Sequence, residues 1–355
     1  MVTDREKEIL HWIKQNPMIS QKELADLAGI TRSGVSAHLS NLTKKGLISG
    51  KGYVFPPKKY VTVIGGVNID IYGTSDQRIV GKSSNTGKVH YSLGGVGRNV
   101  AENLARLDVE TYFMTVFGND QSGESFKENA INNNINIMYS KQMKDEQTST
   151  YLYVNQPDGE RVVGVDDMEI NQYVTPEFVQ RRLPVINASE LLVIDSNIPR
   201  KTIEWLYEHV EVPIFAKAVS INKAPNLMTS HVNLDTLVIN AVEASLITKI
   251  EVTDESSAKE CVRRLKEYEI PRICLYIDSF GIVYADENQL KVSQYGDQEV
   301  VNTNGAGAAI VSALAWGRVQ KISFMQSVMI ATQASEITAQ SAASTSEEIS
   351  QISNL

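Results

Sequence analysis

The 355-residue chain has few cysteines and no long apolar run. Its two cysteines, Cys261 and Cys274, show no CxxC or other metal-ligand spacing and are typical of free thiols in a reducing cytosol. The N-terminus has no apolar leader segment, and no apolar stretch is long enough to span a membrane. These absences predict a soluble, cytoplasmic protein without a disulfide framework, a structural zinc site or a membrane partner.

Charge is distributed unevenly along the chain. Residues 1–59 carry ten Lys or Arg and five Asp or Glu, whereas the remaining residues carry 24 and 37, for a net charge of -8 overall. The length suggests one large domain with an added module. Because the N-terminal module is basic and the rest of the chain is acidic, we expect the module to bind a polyanion and the large domain not to bind one.

Residues 1–56 contain three helix signals followed by a short hairpin signal. Thr3 with Glu6 and Ser20 with Glu23 have the spacing of capping boxes, and Thr31 can cap a third helix. The first helix places four apolar residues on one face: Ile9, Leu10, Trp12 and Ile13. A glycine-rich segment at 46–55 reads as a two-stranded wing. This order of elements resembles a winged helix-turn-helix domain.

In that domain type the third helix enters the major groove of double-stranded DNA. The side chains expected at base edges are Arg32, Ser33, Ser36 and His38, and those expected at phosphates are Lys44, Lys45 and Lys51. The alternative interpretation is a small helical dimerisation module whose polar face is simply solvated.

From Tyr60 onwards, short apolar runs alternate with helical stretches, which predicts an α/β domain over residues 60–355. The predicted strands are Val61–Ile64, Tyr112–Phe117, Leu191–Ile194, Ile214–Phe215, Thr236–Ile239 and Ile273–Ile277. We expect a mostly parallel sheet with helices on both faces. Two segments of alternating polarity, near 84–93 and 148–168, predict a small antiparallel side sheet that forms a lid.

The run Asn302–Ala309 is rich in glycine, follows the strand-like segment 298–301, and opens an apolar helix at Ile310. Backbone N–H groups and the positive end of the helix dipole converge at such a turn and favour an anion. The run resembles the second signature of the ribokinase (PfkB) family of sugar and nucleoside kinases. The resemblance makes Gly305, Ala306 and Gly307 an anion hole, and it puts Ala308 where the family has its catalytic Asp.

The resemblance extends over residues 60 to about 350. Gly65–Asp70 is similar to the first strand and turn of the family, Gly94–Asn99 is similar to its first signature, and Ser84–Lys88 and Asp166–Ile170 are closest to pseudouridine kinases. It implies a ribokinase-like fold and a pseudouridine-like ligand bound by Asn68, Asp70, Gly94, Gly95, Asn99 and Asp167. Taken alone, Asp70 could be a strand-end cap and Asp167 a solvated turn residue.

On the nucleotide side the chain departs from the family pattern. Asn240 and Glu243 keep the family's Asn-x-x-Glu, which implies an indirect role for Glu243 at Mg²⁺. Four other residues replace family motif residues: Lys217, Ala218, Tyr276 and Asp278. ATP and Mg²⁺ are therefore expected as cofactors only if kinase activity survives.

Three explanations account for the alanine at position 308. A natural pseudokinase explains every departure and would be a nucleoside-responsive DNA-binding regulator, homodimeric through its lid strands as the resemblance implies. An engineered loss of the base would leave a pseudouridine-kinase-like enzyme with only that position altered. An active kinase could instead use a base elsewhere. A different reading is a metabolic binding protein whose winged helix makes only protein contacts.

Overall fold

The computed structural model describes residues 2–16, 19–48, 59–158, 161–277, 280–297 and 300–354. The chain divides into two compact units, Met1–Lys58 and Lys59–Leu355. Among the described residues, no helix is both long enough and apolar enough to cross a membrane.

The first unit is built on three helices: α1 (Asp4–Gln15), α2 (Gln21–Ala28) and α3 (Arg32–Lys44). The capping boxes predicted at Thr3 and Ser20 are both present, and the Thr31 side chain accepts the N–H of Gly34 at the start of α3. Apolar residues of all three helices form the core: Ile9, Ile13, Leu24, Val35, Leu39 and Leu42. Leu10 and Trp12 are only partly buried against it. Of the predicted wing, 49–55 lies outside the described residues.

Lys45, one of the lysines expected at DNA phosphates, is exposed and forms an ion pair within the first unit. Its ammonium lies 2.7 Å from Glu6 Oε2, and the Glu6 side chain is almost fully buried. The hydrogen bond from Lys45 is the largest cause that lowers the pKa of Glu6 to about 2. The pair connects α1 to the end of α3, and no local sequence pattern predicts it because the two residues are 39 positions apart.

The second unit contains a main sheet of eight strands. These are β1 (Tyr60–Ile64), β4 (Glu110–Met114), β9 (Leu191–Asp195), β10 (Ile214–Lys217), β11 (Thr236–Asn240), β12 (Arg272–Ile277), β13 (Gly281–Ala285) and β14 (Leu290–Gln294). Their order is β14-β13-β12-β11-β10-β9-β1-β4. Six of them are parallel to their neighbours, and β13 and β14 run antiparallel.

Helices cover both faces of this sheet, as predicted. They are α4 (Val96–Arg106), α5 (Gln121–Asn132), α6 (Pro176–Gln180), α7 (Leu183–Asn187), α8 (Arg200–His209), α9 (Ala241–Thr248), α10 (Glu255–Lys266), α11 (Ala306–Val319) and α12 (Phe324–Ala339). Alternating residues of one strand enter two separate cores. Leu191 and Val193 pack with α4, α11 and α12, whereas Leu192 and Ile194 pack with α8 and α10.

A four-stranded sheet, the lid, consists of β2 (Asn68–Ser75), β3 (Gly87–Gly94), β7 (Ser149–Asn155) and β8 (Arg161–Asp167) in the order β3-β2-β7-β8. It differs from the predicted antiparallel sheet because β2 and β7 pair in parallel. It also takes in Asn68–Asp70, which the sequence placed in a turn. The alternating polarity of β2 suits a strand with one face on the cleft and one on solvent.

Two strand predictions were wrong in detail. The run predicted as one strand at Tyr112–Phe117 is interrupted at Thr115, so that β4 is followed by a short β5 (Val116–Gly118). β5 pairs in parallel with β6 (Lys141–Met143) and leaves the main sheet. The segment before the glycine-rich run is irregular at Val300 and Val301, and 298–299 lies outside the described residues.

Candidate functional site

A cleft of about 670 Å³ lies between the inner face of the lid and the loops that follow the strands β9 and β10. Its lining residues are Asn68, Asp70, Gly95, Val96, Asn99, Tyr151, Tyr153, Gly164, Asp166, Met168, Asn197, Val219, Ser220, Asn222, Lys223, Asn304, Gly305 and Ser344. The cleft therefore combines residues of the lid, the start of α4, and the turn before α11. Ligand sites of open α/β sheets lie in this place, at the carboxyl ends of the strands.

The residues predicted to bind sugar hydroxyls come together at one end of the cleft. Asn68 Nδ2 donates a hydrogen bond of 2.7 Å to Asp70 Oδ1. Asn99, in the first turn of α4, also lines the cleft and accepts a hydrogen bond from Ser344 Oγ at 3.2 Å. A carboxylate held beside two carboxamides offers acceptors and donors that suit vicinal hydroxyl groups.

The two glycines of this group allow backbone segments to approach closely, and Gly95 also lines the cleft. A Cβ atom on Gly94 would lie 2.2 Å from Asp70 Oδ2, so the carboxylate occupies the space that a side chain would need. Gly95 has φ +97°, and a Cβ there would lie 2.5 Å from the carbonyl oxygen of Gly66. Glycine is required at both positions because the end of β3 lies so close to Asp70 and the start of α4 lies so close to the backbone of Gly66 and Val67.

The structure brings Asp166 to the cleft, and not the predicted Asp167. Asp166 pairs across the sheet with Tyr151, and Tyr151 pairs in turn with Asp70. These three residues therefore share the inner face of the lid. Asp167 follows one residue later and points to the opposite face, because successive side chains of a strand alternate. The sequence motif contains both aspartates, and only the strand register separates them.

Sequence reasoning missed Asp195, the last residue of β9. Its buried carboxylate accepts the N–H of Gly66 at 2.9 Å, of Gly97 at 2.8 Å and of Asn197 at 2.8 Å. Burial raises the pKa of Asp195, although these N–H bonds oppose the shift. The carboxylate thus ties together three backbone segments that carry cleft residues. The sequence feature that could have indicated Asp195 is its position as the one acidic residue at the end of the apolar strand Leu191–Asp195.

A buried ion pair lies behind Asn99. Arg98 Nη1 is 2.5 Å from Glu102 Oε2, and Thr345 Oγ1 donates to the other oxygen of Glu102 at 2.7 Å. Arg98 Nη2 also donates to the carbonyl oxygen of Leu93 and to Ser344 Oγ. The pair connects α4 to the lid strand β3 and to the loop after α12, so it fixes the wall of the cleft from which Asn99 projects.

The glycine-rich turn before α11 reaches the cleft through Asn304 and Gly305. Gly305, with φ +92°, lines the cleft together with Asn304. The helix then turns inward, so that Ala306, Gly307 and Ala308 are buried and Ala308 belongs to the apolar core. A Cβ atom on Gly307 would lie 2.2 Å from Lys217 Cε and 2.6 Å from Tyr276 Oη.

Lys217 therefore fills the space against the turn. Its side chain is buried, and its ammonium lies 3.4 Å from Glu243 Oε2 and donates to the carbonyl oxygen of Ala218. It also lies 5.3 Å from the ring centre of Tyr276. Burial acts to lower the pKa of Lys217, but Glu243 and Tyr276 more than offset it, and the pKa lies above its ordinary value.

Asn240 and Glu243 are engaged within the protein. Asn240 caps α9, and its side chain accepts the N–H of Glu243 at 2.7 Å while Glu243 Oε2 accepts the N–H of Asn240 at 3.1 Å. The same Oε2 faces Lys217. Within the described ranges there is no group of three His, Cys, Asp or Glu that could hold a metal ion. Asp278, another predicted departure, lies outside the described residues.

These contacts do not fit a Mg²⁺–triphosphate at the turn. Mg²⁺ requires accessible oxygen ligands in near-octahedral geometry. Glu243 is 1% exposed and its carboxylate already faces an ammonium and a backbone N–H. The side chains of Tyr276 and Lys217 also lie directly against Gly307, one of the three residues of the predicted anion hole.

In the first unit, α3 presents a polar and basic surface. Arg32, Ser33, Ser36 and Lys44 are exposed, His38 is half-buried, and the helix contains no acidic residue. Arg32 and Ser36 are four residues apart and share one face of the helix. Ser33 Oγ is 2.9 Å from Thr31 Oγ1 at the N-cap. Lys51 lies outside the described residues.

Both units match families of known proteins. A sequence profile described as pfkB family carbohydrate kinase matches residues 58–350, and one described as winged helix-turn-helix DNA-binding matches residues 3–49. The chain is 28% identical to "Uncharacterized sugar kinase YeiI" of Escherichia coli strain K12 over 338 residues, covering 95% of this chain and 93% of that protein. The pseudouridine kinase of the same strain is 29% identical over 276 residues, with 77% and 88% covered.

Solved structures show the same fold for the second unit. A carbohydrate kinase from Agrobacterium tumefaciens matches with a TM-score of 0.71 and 25% identity, covering 84% of this chain and 97% of that one. The ribokinase of Arabidopsis thaliana complexed with ribose and ATP also matches with a TM-score of 0.71, covering 84% and 100%. Its 18% identity supports a common fold and nothing finer.

Proposed function

Since this chain belongs to the pfkB family of carbohydrate kinases, we propose that it binds a ribosyl compound in the lid cleft without phosphorylating it. Its winged helix-turn-helix would then act as the output, which makes the protein a nucleoside-responsive transcriptional regulator. The observation that carries the proposal is the packing of Lys217 and Tyr276 against Gly307, with Ala308 in the core.

Phosphoryl transfer needs positioned phosphates, charge neutralisation and a group that receives the hydroxyl proton. Loss of a general base alone costs typically ~10²–10⁴ in rate. Here the alanine at the position of the base is 2% exposed, and the neighbouring Lys217 is committed to Glu243. The losses involve separate segments of the chain that meet in space, which a single altered position would not explain.

The sugar end of the cleft supports retained binding. Asn68, Asp70 and Asn99 keep polar atoms at the cleft surface, and Asp195 and Arg98 fix the backbone behind them. The similarity to a pseudouridine kinase favours a ribosyl compound with a pyrimidine-type base. The second candidate function is an ATP-dependent kinase acting on the ribose 5′-hydroxyl, which the names of the relatives and the retained Gly305 turn favour.

DNA binding tests the regulator directly. We expect a gel shift with the DNA upstream of the protein's own gene, and a change in that affinity when a ribosyl ligand is added. A ligand can change DNA affinity only if it prefers one of the DNA-binding states. Arg32→Ala should weaken the complex, since this exposed arginine opens the recognition helix. Arg5→Ala, on the surface of α1, is the matched control.

The absence of any retarded complex at low salt, with and without nucleoside, would eliminate the regulator. A complex equally sensitive to Arg5→Ala and Arg32→Ala would instead mean that the third helix does not read DNA.

A homodimer through the lid is the assembly that we propose. Two rows of residues cross its outer face in register: Tyr91, Ile71, Leu152, Val165 and Val89, Gly73, Val154, Val163. Five of these side chains are 41–72% exposed: Val89, Tyr91, Leu152, Val163 and Val165. Covering such a row with a second copy removes it from water and gives the two-fold symmetry that DNA half-sites match.

We expect light scattering to give twice the mass of one chain, and Leu152→Asp to give the monomer, because a charge in the centre of the covered row is desolvated. Lys88→Glu, at an exposed site on β3, is the control and should leave the dimer intact. A wild-type monomer at micromolar concentration would contradict the proposed assembly.

A further inference from the structure

We propose that Asp166 accepts a hydrogen bond from an N–H group on the edge of the ligand's planar base, and that Lys223 positions the Asp166 carboxylate. The ligand class is then a ribosyl compound whose base carries a ring N–H, as uracil-type bases do. This inference rests on the proposed binding of a ribosyl compound and adds the part of the ligand that the cleft selects.

The register of the lid sets the geometry. Asp70, Tyr151 and Asp166 are direct cross-strand neighbours on β2, β7 and β8, and all three line the cleft. Two strand spacings separate Asp70 from Asp166, which is about 10 Å between backbones. A ribose held at Asp70 and joined to one planar ring reaches across Tyr151 to Asp166. The tyrosine provides an apolar surface under the ring.

Lys223 fixes the direction of the Asp166 carboxylate. Its ammonium lies 3.0 Å from Asp166 Oδ2, 3.2 Å from Asn197 Oδ1 and 3.3 Å from Met168 Sδ. These acceptors come from the lid and from the loop after β9, and they occupy the three N–H directions of the ammonium. Lys223 is thus committed to the protein and acts on the ligand through Asp166.

The charge of the cleft agrees with a donor group on the ligand. Among the described lining residues, Lys223 is the cation, and Asp70 and Asp166 are the two acids. Lys223 engages one oxygen of Asp166, and the side chain remains 49% exposed. A carboxylate accepts hydrogen bonds and donates none. It therefore favours a ring N–H over a ring nitrogen that carries only a lone pair, and it opposes a phosphate.

The experiment measures the affinity of pseudouridine, of its 1,3-dimethyl derivative, which has no ring N–H, and of ribose. Calorimetry is applied to the full chain, to one variant each of Asp166 and Asp167, and to the two variants Lys223→Met and Lys223→Arg. Asp166→Asn removes the charged acceptor, and Asp167→Asn removes the adjacent carboxylate on the other face of the same strand. Both side chains are exposed, and melting temperatures without ligand check that both variants are folded.

We expect wild type to bind pseudouridine about 10- to 100-fold more tightly than the dimethyl derivative, the range of a hydrogen bond to a charged group. Asp166→Asn should reduce this preference to less than about threefold, because the bulk of the methyl groups acts equally on both proteins. Asp167→Asn should keep it. Lys223→Met should also reduce the preference, and Lys223→Arg should restore most of it.

An unchanged preference in Asp166→Asn, or equal binding of the two nucleosides by wild type, would overturn the inference and leave ribosyl binding standing. Failure of all three compounds to bind wild type would overturn the proposed ligand class together with the inference.

Discussion

Lys217→Met is expected to lower the melting temperature of the protein by about 6–20 °C. Removing one partner of a buried ion pair leaves the other charge uncompensated, which costs about 3–5 kcal/mol. In a domain of this size each kcal/mol lowers the melting temperature by roughly 2–4 °C. Glu243 is 1% exposed and would keep the N–H of Asn240 as a donor without the ammonium that faces it in the wild type.

The double variant Lys217→Met, Glu243→Gln tests the cause. It removes both charges, keeps a side chain that can accept the N–H of Asn240, and should recover most of the lost melting temperature. Lys201→Met, at an exposed lysine of α8, is the matched control and should change little. A wild-type melting temperature in Lys217→Met would mean that the ammonium does not stabilise this region.

Asp70→Asn is expected to weaken ribosyl binding by at least about 100-fold. Two hydrogen bonds from vicinal hydroxyls to a charged acceptor are worth about 1.5–3 kcal/mol each, and 1.4 kcal/mol is tenfold in affinity. The buried Arg98 guanidinium favours a negative charge at this place, because Asp70 and Arg98 attract each other. The carboxamide keeps the shape of the side chain, but it has no charge, and one of the two acceptor oxygens is replaced by an NH2 donor.

The measurement is a thermal shift with ligand. A ligand at 100-fold its Kd adds about 2.7 kcal/mol to stability, and at its Kd it adds about 0.4 kcal/mol, so the shift seen with wild type should fall to about a sixth or less in Asp70→Asn at the same concentration. Asp167→Asn should retain it, since that side chain lies on the other face of the lid. Equal shifts in wild type and Asp70→Asn would show that the ligand binds elsewhere.

The sequence predicted the elements with strong local signals. Capping residues fixed the helix starts at Thr3, Ser20 and Thr31, and apolar runs located the strands of the main sheet. The sugar end of the cleft was also predictable, since its residues belong to two short motifs. Residues of one short motif line the same cleft when the local backbone can adopt only one conformation. Gly95 imposes such a constraint through its positive φ and its close backbone contacts.

What the sequence could not give depends on register and on distant contacts. Asp166 and Asp167 are chemically identical neighbours, and only the pairing of β8 with β7 decides which one faces the cleft. Lys217 and Gly307 are 90 positions apart, and their contact depends on the packing of α11 on the parallel strands. The sequence shows that Lys217 and Tyr276 differ from the family motifs. Only the fold shows that both side chains lie against Gly307.

Phosphate transfer from ATP to pseudouridine, measured for wild type and for Ala308→Asp, tests the central claim most directly. The claim is that side chains fill the space next to the glycine-rich turn, so that restoring the missing carboxylate at position 308 does not by itself restore kinase activity. It predicts no transfer above background in either protein, because Lys217 and Tyr276 still occupy the space beside Gly307 when the base is restored. Robust turnover by Ala308→Asp, or by wild type, would contradict it and establish the chain as a kinase.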